Sequence, residues 1–356
     1  MSARILGVLI VLLLALGGGA LLMQRQADAP SQNAAGLGQP LLKDLQAAKV
    51  AAVAIQSPKE KLTLRQKDGR WVVAERADFP ADFDRVRDFV LKAIGLKIGQ
   101  SEPIGEKDRA RLALDAGGTR VEFLGADGKP LAALVLGRKY FKAEPENPER
   151  AAGDGRYVAL PGDEKRVYVV ADPLSQASTK PADWVRRTGI AVEKVRSLEV
   201  RDAAGAAWKV ERAGDNADWK LAGAGASDKL DVTKANAAAY ALSQLDLADV
   251  APADAKPGDT GLDKPSVATA TTFDGLTYTI RAGKAAGENV YATIAVAGEP
   301  RPEGKDAEER LKKLNERLPA EKALGAHVLL VPKSKLDDLF RKRADLLEKR
   351  EPAKKK

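Results

Sequence analysis

Lys61-Leu62-Thr63-Leu64-Arg65-Gln66-Lys67-Asp68-Gly69-Arg70-Trp71-Val72-Val73 is the stretch from which the fold is read. Leu62 and Leu64 alternate with polar neighbours, Asp68-Gly69 is a two-residue turn that tolerates positive φ, and Trp71-Val72-Val73 returns, so the stretch is a β-hairpin. Upstream, Val53 and Ile55 open another short strand. Downstream, Val86, Phe89, Val90, Ala93 and Ile94 recur at helical spacing, with Asp82 or Asp84 placed to cap that helix. Strands resume with Val121 and Phe123, the turn Asp127-Gly128, and residues 134–136, 157–160 and 167–170.

The same arrangement is stated a second time. Leu198 and Val200 alternate with Ser197, Glu199 and Arg201; Trp208 and Val210 follow, then a polar turn at Asp215-Asn216, then Trp219 and Leu221. Trp71 and Trp219 therefore stand at matching places. A helix with Ala235, Ala238, Ala239 and Leu242 on one side follows, capped by Asp231 or Thr233, and then strands at 267–273, 276–280 after the turn Asp274-Gly275, 290–296 and 328–331. Each copy reads as an α+β unit, a mainly antiparallel sheet with one face covered by a helix, and the pair reads as an internal duplication.

The second copy carries a charged insertion at residues 301–324. Asp306 and Glu309 read as a capping pair, Leu311, Leu314 and Leu318 as an apolar stripe, Glu308 with Lys312 and Glu309 with Lys313 as ion pairs, and Pro319 as the helix end. Such a stripe suits the cover of a sheet edge or face, or a dock for a partner protein. In residues 333–356, Leu336, Leu339, Phe340 and Leu347 fall at helical spacing among Arg341, Lys342 and Arg343, an amphipathic basic tail.

Residues 5–23 are nineteen residues without a charge. As a helix they would span about 28 Å, close to the hydrocarbon thickness of a bilayer, and they are expected to be an N-terminal transmembrane anchor. The rival reading is a cleaved leader, since Ala27-Asp28-Ala29 has the small-x-small pattern, but Pro30 would follow the cut and the apolar run is longer than a leader's core. The expected organisation is an anchor at 1–23, a flexible linker rich in Ala, Gly, Gln, Ser and Pro at 24–40, a first lobe at 41–190, a second at 191–332 and the tail at 333–356.

The formal charge of +8 would suit a polyanion partner if it were concentrated on the body. It is not. Residues 333–356 hold ten Lys or Arg against five Asp or Glu, and Arg4 adds one more, so of 58 basic and 50 acidic residues the stretch 24–332 keeps 47 and 45. With aromatics at 5%, neither a phosphate-tracking stripe nor a stacking platform is available, and nucleic acid is not an expected partner.

No cysteine is present, which removes disulfides, thiolate metal sites, a lipid-modified cysteine and cysteine nucleophiles. The sole histidine, His327, has no serine or acidic motif beside it and reads as structural. The glycine pairs Gly153/Gly155 and Gly223/Gly225 lack the rest of any nucleotide-binding pattern, and Asp82 and Asp84 stand where a helix needs a cap rather than as an acid–base pair. No catalytic, cofactor-binding or metal-binding residue is assigned. Trp71, Trp184, Trp208 and Trp219 sit in patterns that fill cores, with sugar stacking as their other use.

The order of several short motifs resembles the bacterial family DUF4340, a domain of unknown function found in membrane-anchored envelope proteins. They are Leu41-Leu42-Lys43-Asp44-Leu45, Asp68-Gly69-Arg70-Trp71, Phe79-Pro80-Ala81-Asp82, Arg166-Val167-Tyr168-Val169-Val170-Ala171-Asp172, Asp183-Trp184 and Gly261-Leu262-Asp263-Lys264-Pro265, covering about residues 41–300. Members look like single-span proteins, some accompanying ABC-type transport systems or gliding-motility auxiliary proteins, and the family supplies no established catalytic residues. The resemblance thus implies a partner class rather than a reaction. The insertion at 301–324 and the basic tail depart from its compact pattern. The expectation is a non-enzymatic, single-pass protein of the bacterial inner membrane with its body on the periplasmic or extracytoplasmic side. There it would be an accessory or interaction component of an ABC-type transport or related envelope system, with a periplasmic carbohydrate- or polymer-binding module as the alternative.

Overall fold

The computed structural model describes residues 36–143 and 145–348. Along the chain lie β1 (Ala52–Gln56), β2 (Lys61–Lys67), β3 (Arg70–Val73), β4 (Phe79–Pro80), α1 (Phe83–Ile94), β5 (Ile98–Pro103), α2 (Glu106–Arg111), β6 (Thr119–Leu124), β7 (Pro130–Tyr140), β8 (Gly155–Ala159) and β9 (Arg166–Val170). There follow β10 (Val195–Arg201), β11 (Ala207–Glu211), β12 (Lys220–Leu221), α3 (Val232–Tyr240), β13 (Asp249–Val250), α4 (Pro257–Thr260), β14 (Ser266–Thr272), β15 (Leu276–Ala286), β16 (Asn289–Gly298), α5 (Ala307–Ala323), β17 (Leu329–Pro332) and α6 (Lys333–Leu336). This is an α+β fold of two antiparallel sheets with few helices.

Two compact units share these elements: residues up to Lys61 with Asp88–Ala177, and Leu62–Arg87 with Ser178 onward. The first holds the strand run β1-β6-β7-β8-β9-β5. Its registers put alternate apolar residues on one face: Val53 opposite Phe123, Ile55 opposite Val121, and Val121 opposite Leu134, all fully buried. Onto that face α1 turns Phe89, Val90 and Ala93, and the Phe89 and Phe123 rings stack with centroids 6.2 Å apart. A smaller cluster of Leu114, Ala159 and Val167 is packed by Leu112, Val135 and Tyr157. Beside it the Tyr168 hydroxyl donates to Asp163 at 2.7 Å; burial and that carboxylate push its pKa up to about 12.

The second unit contains the run β10-β14-β15-β16-β17-β13, which has the same order as the run in the first unit when strands are matched in sequence. The parallel extends to the hairpins. Leu64 pairs with Val73 and Val210 with Leu221, so Trp71 and Trp219 each precede the equivalent core residue by two positions. Tyr278 and Ile280 of β15, Ala268 and Ala270 of β14 and Leu198 and Val200 of β10 build the core, and α3 adds Ala235, Ala238 and Ala239.

The division of the chain differs from a cut near residue 190. Segment 62–87 joins the second unit because Ala81 bridges Val185, the Asp82 N–H donates to the Trp184 carbonyl at 2.7 Å, and Arg76 forms a two-pronged pair with Asp249. Phe79, 1% exposed, meets the His327 ring edge-on at 5.0 Å. The fold also begins ahead of Leu41: Gly38 N–H donates to Ile98 C=O, and Ile98 N–H to Gln39 C=O. The expected anchor and most of the expected linker lie outside the described residues. Among the described residues no helix is long and apolar enough to cross a membrane.

Three local expectations are corrected. In α5, Asp306 makes no side-chain cap bond, and Glu309 is taken instead by Lys313 at 2.6 Å. Pro319 does not end the helix, which runs on to Ala323 because the turn around it is held down. Leu318 and Glu321 are buried there, the Glu321 carboxylate accepting from the Tyr278 hydroxyl at 2.8 Å and the Ala191 N–H at 3.2 Å. As far as Glu348 the tail is not one amphipathic helix, and its basic end at 349–356 lies outside the described residues. After α6 the tail continues as a single 3-10 turn at Arg343–Leu346, burying Leu336, Leu339 and Leu346; the Trp208 indole donates to Arg341 C=O and Leu347 bridges Leu230. Its apolar residues fill the second unit instead of presenting a stripe.

Candidate functional site

At the tip of the β2–β3 hairpin the turn Asp68-Gly69, with φ of 49° and 74°, reverses the chain and leaves Arg70 and Trp71 at its exit. The hairpin is braced from below: Asp78 accepts from Lys67 at 2.8 Å and Arg65 at 2.7 Å, which hold its carboxyl below the usual range. Next to the tip, Pro80 and Ala81 run into Asp82, whose carboxylate accepts from the Arg85 N–H at 3.1 Å and caps α1. Residues 186–188 come alongside because Arg186 N–H donates to Pro80 C=O at 2.9 Å. Gly189 sits where the carbonyl of Leu245 would strike any Cβ, so the chain passes this point only as glycine.

These pieces enclose a cleft of about 690 Å³. Trp71, Phe83 and Pro80 supply its apolar surface, Arg70, Arg186 and Arg187 its positive charge, and Asp82 and Asp84 its carboxylates. The carboxylates are engaged, Asp82 as the cap and Asp84 with Arg87 at 2.8 Å. Among the described residues none of the three guanidiniums is in an ion pair. Burial, and secondarily the charge of Arg70, lower the proton affinity of Arg186, and its Nε is buried without a hydrogen-bond partner. Phe83 is 57% exposed.

Around Trp219 the chain satisfies its own charges. A smaller pocket of about 250 Å³ is lined by Trp219, Arg212, Asp215, Asn236 and Tyr240. The Arg212 guanidinium lies 4.7 Å over the Trp219 ring and takes Asp215 at 2.8 Å, while the indole N–H donates to Asn236 at 2.8 Å. A broader depression of about 890 Å³ lies over the polar face of β10, β11, β14 and β15, where Lys209 pairs with Glu211 at 2.8 Å.

Of the residues singled out in the sequence, Trp184, Trp208 and Trp219 are buried and Trp71 alone lines the cleft. Asp82 and Asp231 are the helix caps, each accepting from the N–H three residues on. His327 is half-buried against Phe79, and burial lowers its pKa. Among the described residues no three His, Cys, Asp or Glu side chains are gathered as for a metal ion. The sequence reading missed Phe83, Arg186 and Arg187. The one signal was the pair Arg186-Arg187 one residue beyond Asp183-Trp184, which only the fold brings beside Trp71.

The fold and the cleft thus define a two-lobed antiparallel α+β protein with an arginine- and aromatic-lined cleft at the tip of the β2–β3 hairpin. A family model described as Domain of unknown function (DUF4340) matches residues 71–265, and the chain belongs to that family. The matched stretch is narrower than the motifs suggested, leaving Leu41 to Leu45 and Asp68 to Arg70 outside it. No curated protein and no solved structure matches the chain.

Proposed function

We propose that this protein is a non-enzymatic, membrane-tethered envelope component that acts by binding a protein partner, an ABC-type transporter or a related envelope assembly. In this reading residues 5–23 stay in the inner membrane as a single span and the two lobes, products of an internal duplication, face the periplasmic or extracytoplasmic side. The carrying observation is the cleft at Trp71. There, the motif stretches at 68–71 and 79–82 meet residues 186–188 from more than a hundred positions on, and Phe83 and Trp71 offer an aromatic surface beside guanidiniums that are in no ion pair, the residue types that anchor protein interfaces. The transporter class comes from the family resemblance. A photo-crosslinking residue at position 83, in cells, tests the reading: a specific covalent partner in the membrane fraction is expected, and recovery of the protein alone would count against it.

One observation favours a second reading, a module for cell-wall carbohydrate or polymer. Trp71 is the tryptophan that is not buried, and it stands in an open cleft where a sugar ring could stack. Titration with wall fragments discriminates, since stacking would quench Trp71 emission in the wild type and not in Trp71→Phe.

A further inference from the structure

We infer that the cleft at Trp71 receives a carboxylate-bearing stretch of a partner polypeptide, with Arg70, Arg186 and Arg187 as the groups that recognise it; this rests on the cleft being the contact site proposed above. Elsewhere in the same unit tryptophan, arginine and carboxylate form a closed set, Arg212 over Trp219 with Asp215 on the guanidinium. At the cleft a tryptophan stands with three arginines, and no carboxylate of the described residues pairs with them. The two acids at the rim do not fill that role, being committed to the α1 cap and to Arg87.

The charge balance points the same way. Arg186 is partly buried and loses hydration without gaining a counter-charge, its buried Nε having no acceptor, while the exposed Arg70 and Arg187 add positive charge beside it. An incoming carboxylate would meet planar donors suited to two parallel hydrogen bonds. Phe83 and Trp71 would then bury apolar atoms flanking the acidic side chain.

The test uses the full-length chain in nonionic detergent, with Trp71 emission as the signal and a peptide of ten glutamates as the probe. Binding that weakens with added salt, and is at least about tenfold weaker in the double variant Arg70→Gln/Arg187→Gln, is expected, since each guanidinium removed takes charge-assisted hydrogen bonds with it. Both arginines are exposed, and far-UV circular dichroism checks that the variant folds. Three results would overturn the inference: no binding of the glutamate peptide at millimolar concentration, equal binding of a ten-lysine peptide, or glutamate binding indifferent to the double variant. Crosslinking at position 83 separates the two claims. A partner still captured by the double variant leaves the contact role standing and removes the charge assignment, whereas no partner captured by the wild type removes the contact role itself.

Discussion

At the start of α1, Asp82 and Asp84 stand two residues apart in different circumstances. Asp82 accepts from the Arg85 N–H and fills an otherwise orphaned donor, whereas the Asp84 side chain is 76% exposed and holds Arg87 at the surface. Asp82→Ala is therefore expected to lower stability by about 1 kcal/mol and Asp84→Ala by less than about 0.5, read as urea midpoints. Equal losses would contradict the capping assignment. His327 gives a pH test, being the one histidine in the chain. Burial against Phe79 disfavours its charged form, so the unfolded chain takes up the proton first as pH falls below about 6.5. Stability accordingly rises with pH through the interval below that value and levels off above it. Urea midpoints at pH 5.5 and 7.5 should differ more in the wild type than in His327→Gln; the same difference in both would refute the assignment. Residue type and position narrowed the cap to Asp82 or Asp84, and the backbone geometry selects Asp82. The exposure of Trp71 was not legible, because it is set by Arg186 and its neighbours more than a hundred positions away.

Among the elements, the strands were the most legible. Period-two alternation needs only local residues, and Leu62, Leu64, Val121, Phe123, Leu198 and Val200 all point inward as their spacing required. Helical spacing was a weaker guide wherever packing competed with it. Leu336, Leu339 and Phe340 carry a helical period, yet Leu347 pairs as a bridge with Leu230 and the tail folds as short turns, because burying each leucine in the second unit outweighs extending one helix. The reverse holds in α5, where an interior proline is tolerated. Glu321 is decisive there: at 3% exposed it satisfies both the Tyr278 hydroxyl and the Ala191 N–H, and Arg317 lies 3.5 Å away, while Arg310 meets Asp274 at the other end. Glu321→Ala should strand those donors and destabilise by about 2 to 3 kcal/mol. Leu311→Ala on the 38% exposed side of the same helix should lose less than about 1 kcal/mol. If the two variants unfold at the same denaturant concentration, the helix is not fastened through Glu321.

For the whole molecule, the two series of strands were visible in sequence, but the boundary was not, because a discontinuous unit leaves no mark in local composition. The hairpin segment 62–87 precedes most of the first unit in the chain and folds with the second. What attaches it is a set of long-range contacts: Phe79 on His327, the Ala81–Val185 bridge, the Arg76–Asp249 pair and the backbone bonds of Asp82 and Arg186. Burial of one phenylalanine and two backbone hydrogen bonds come to about 3 to 6 kcal/mol, a large part of the roughly 5 to 15 kcal/mol that holds an ordinary domain together. Trp184, fully buried, lies at the centre of these contacts, its carbonyl taken by Asp82 and its indole N–H by Ser178 C=O. A fragment starting at Ser178 lacks the segment while keeping every strand of β10 to β17. It should emit at longer wavelength than the same fragment mixed with a synthetic 62–87 peptide, and it should unfold at lower denaturant with a shallower transition. Unchanged emission and an equally steep transition without the peptide would mean that the second unit closes its core without the hairpin, and the cleft at Trp71 would then lose the floor on which its arginines are assembled.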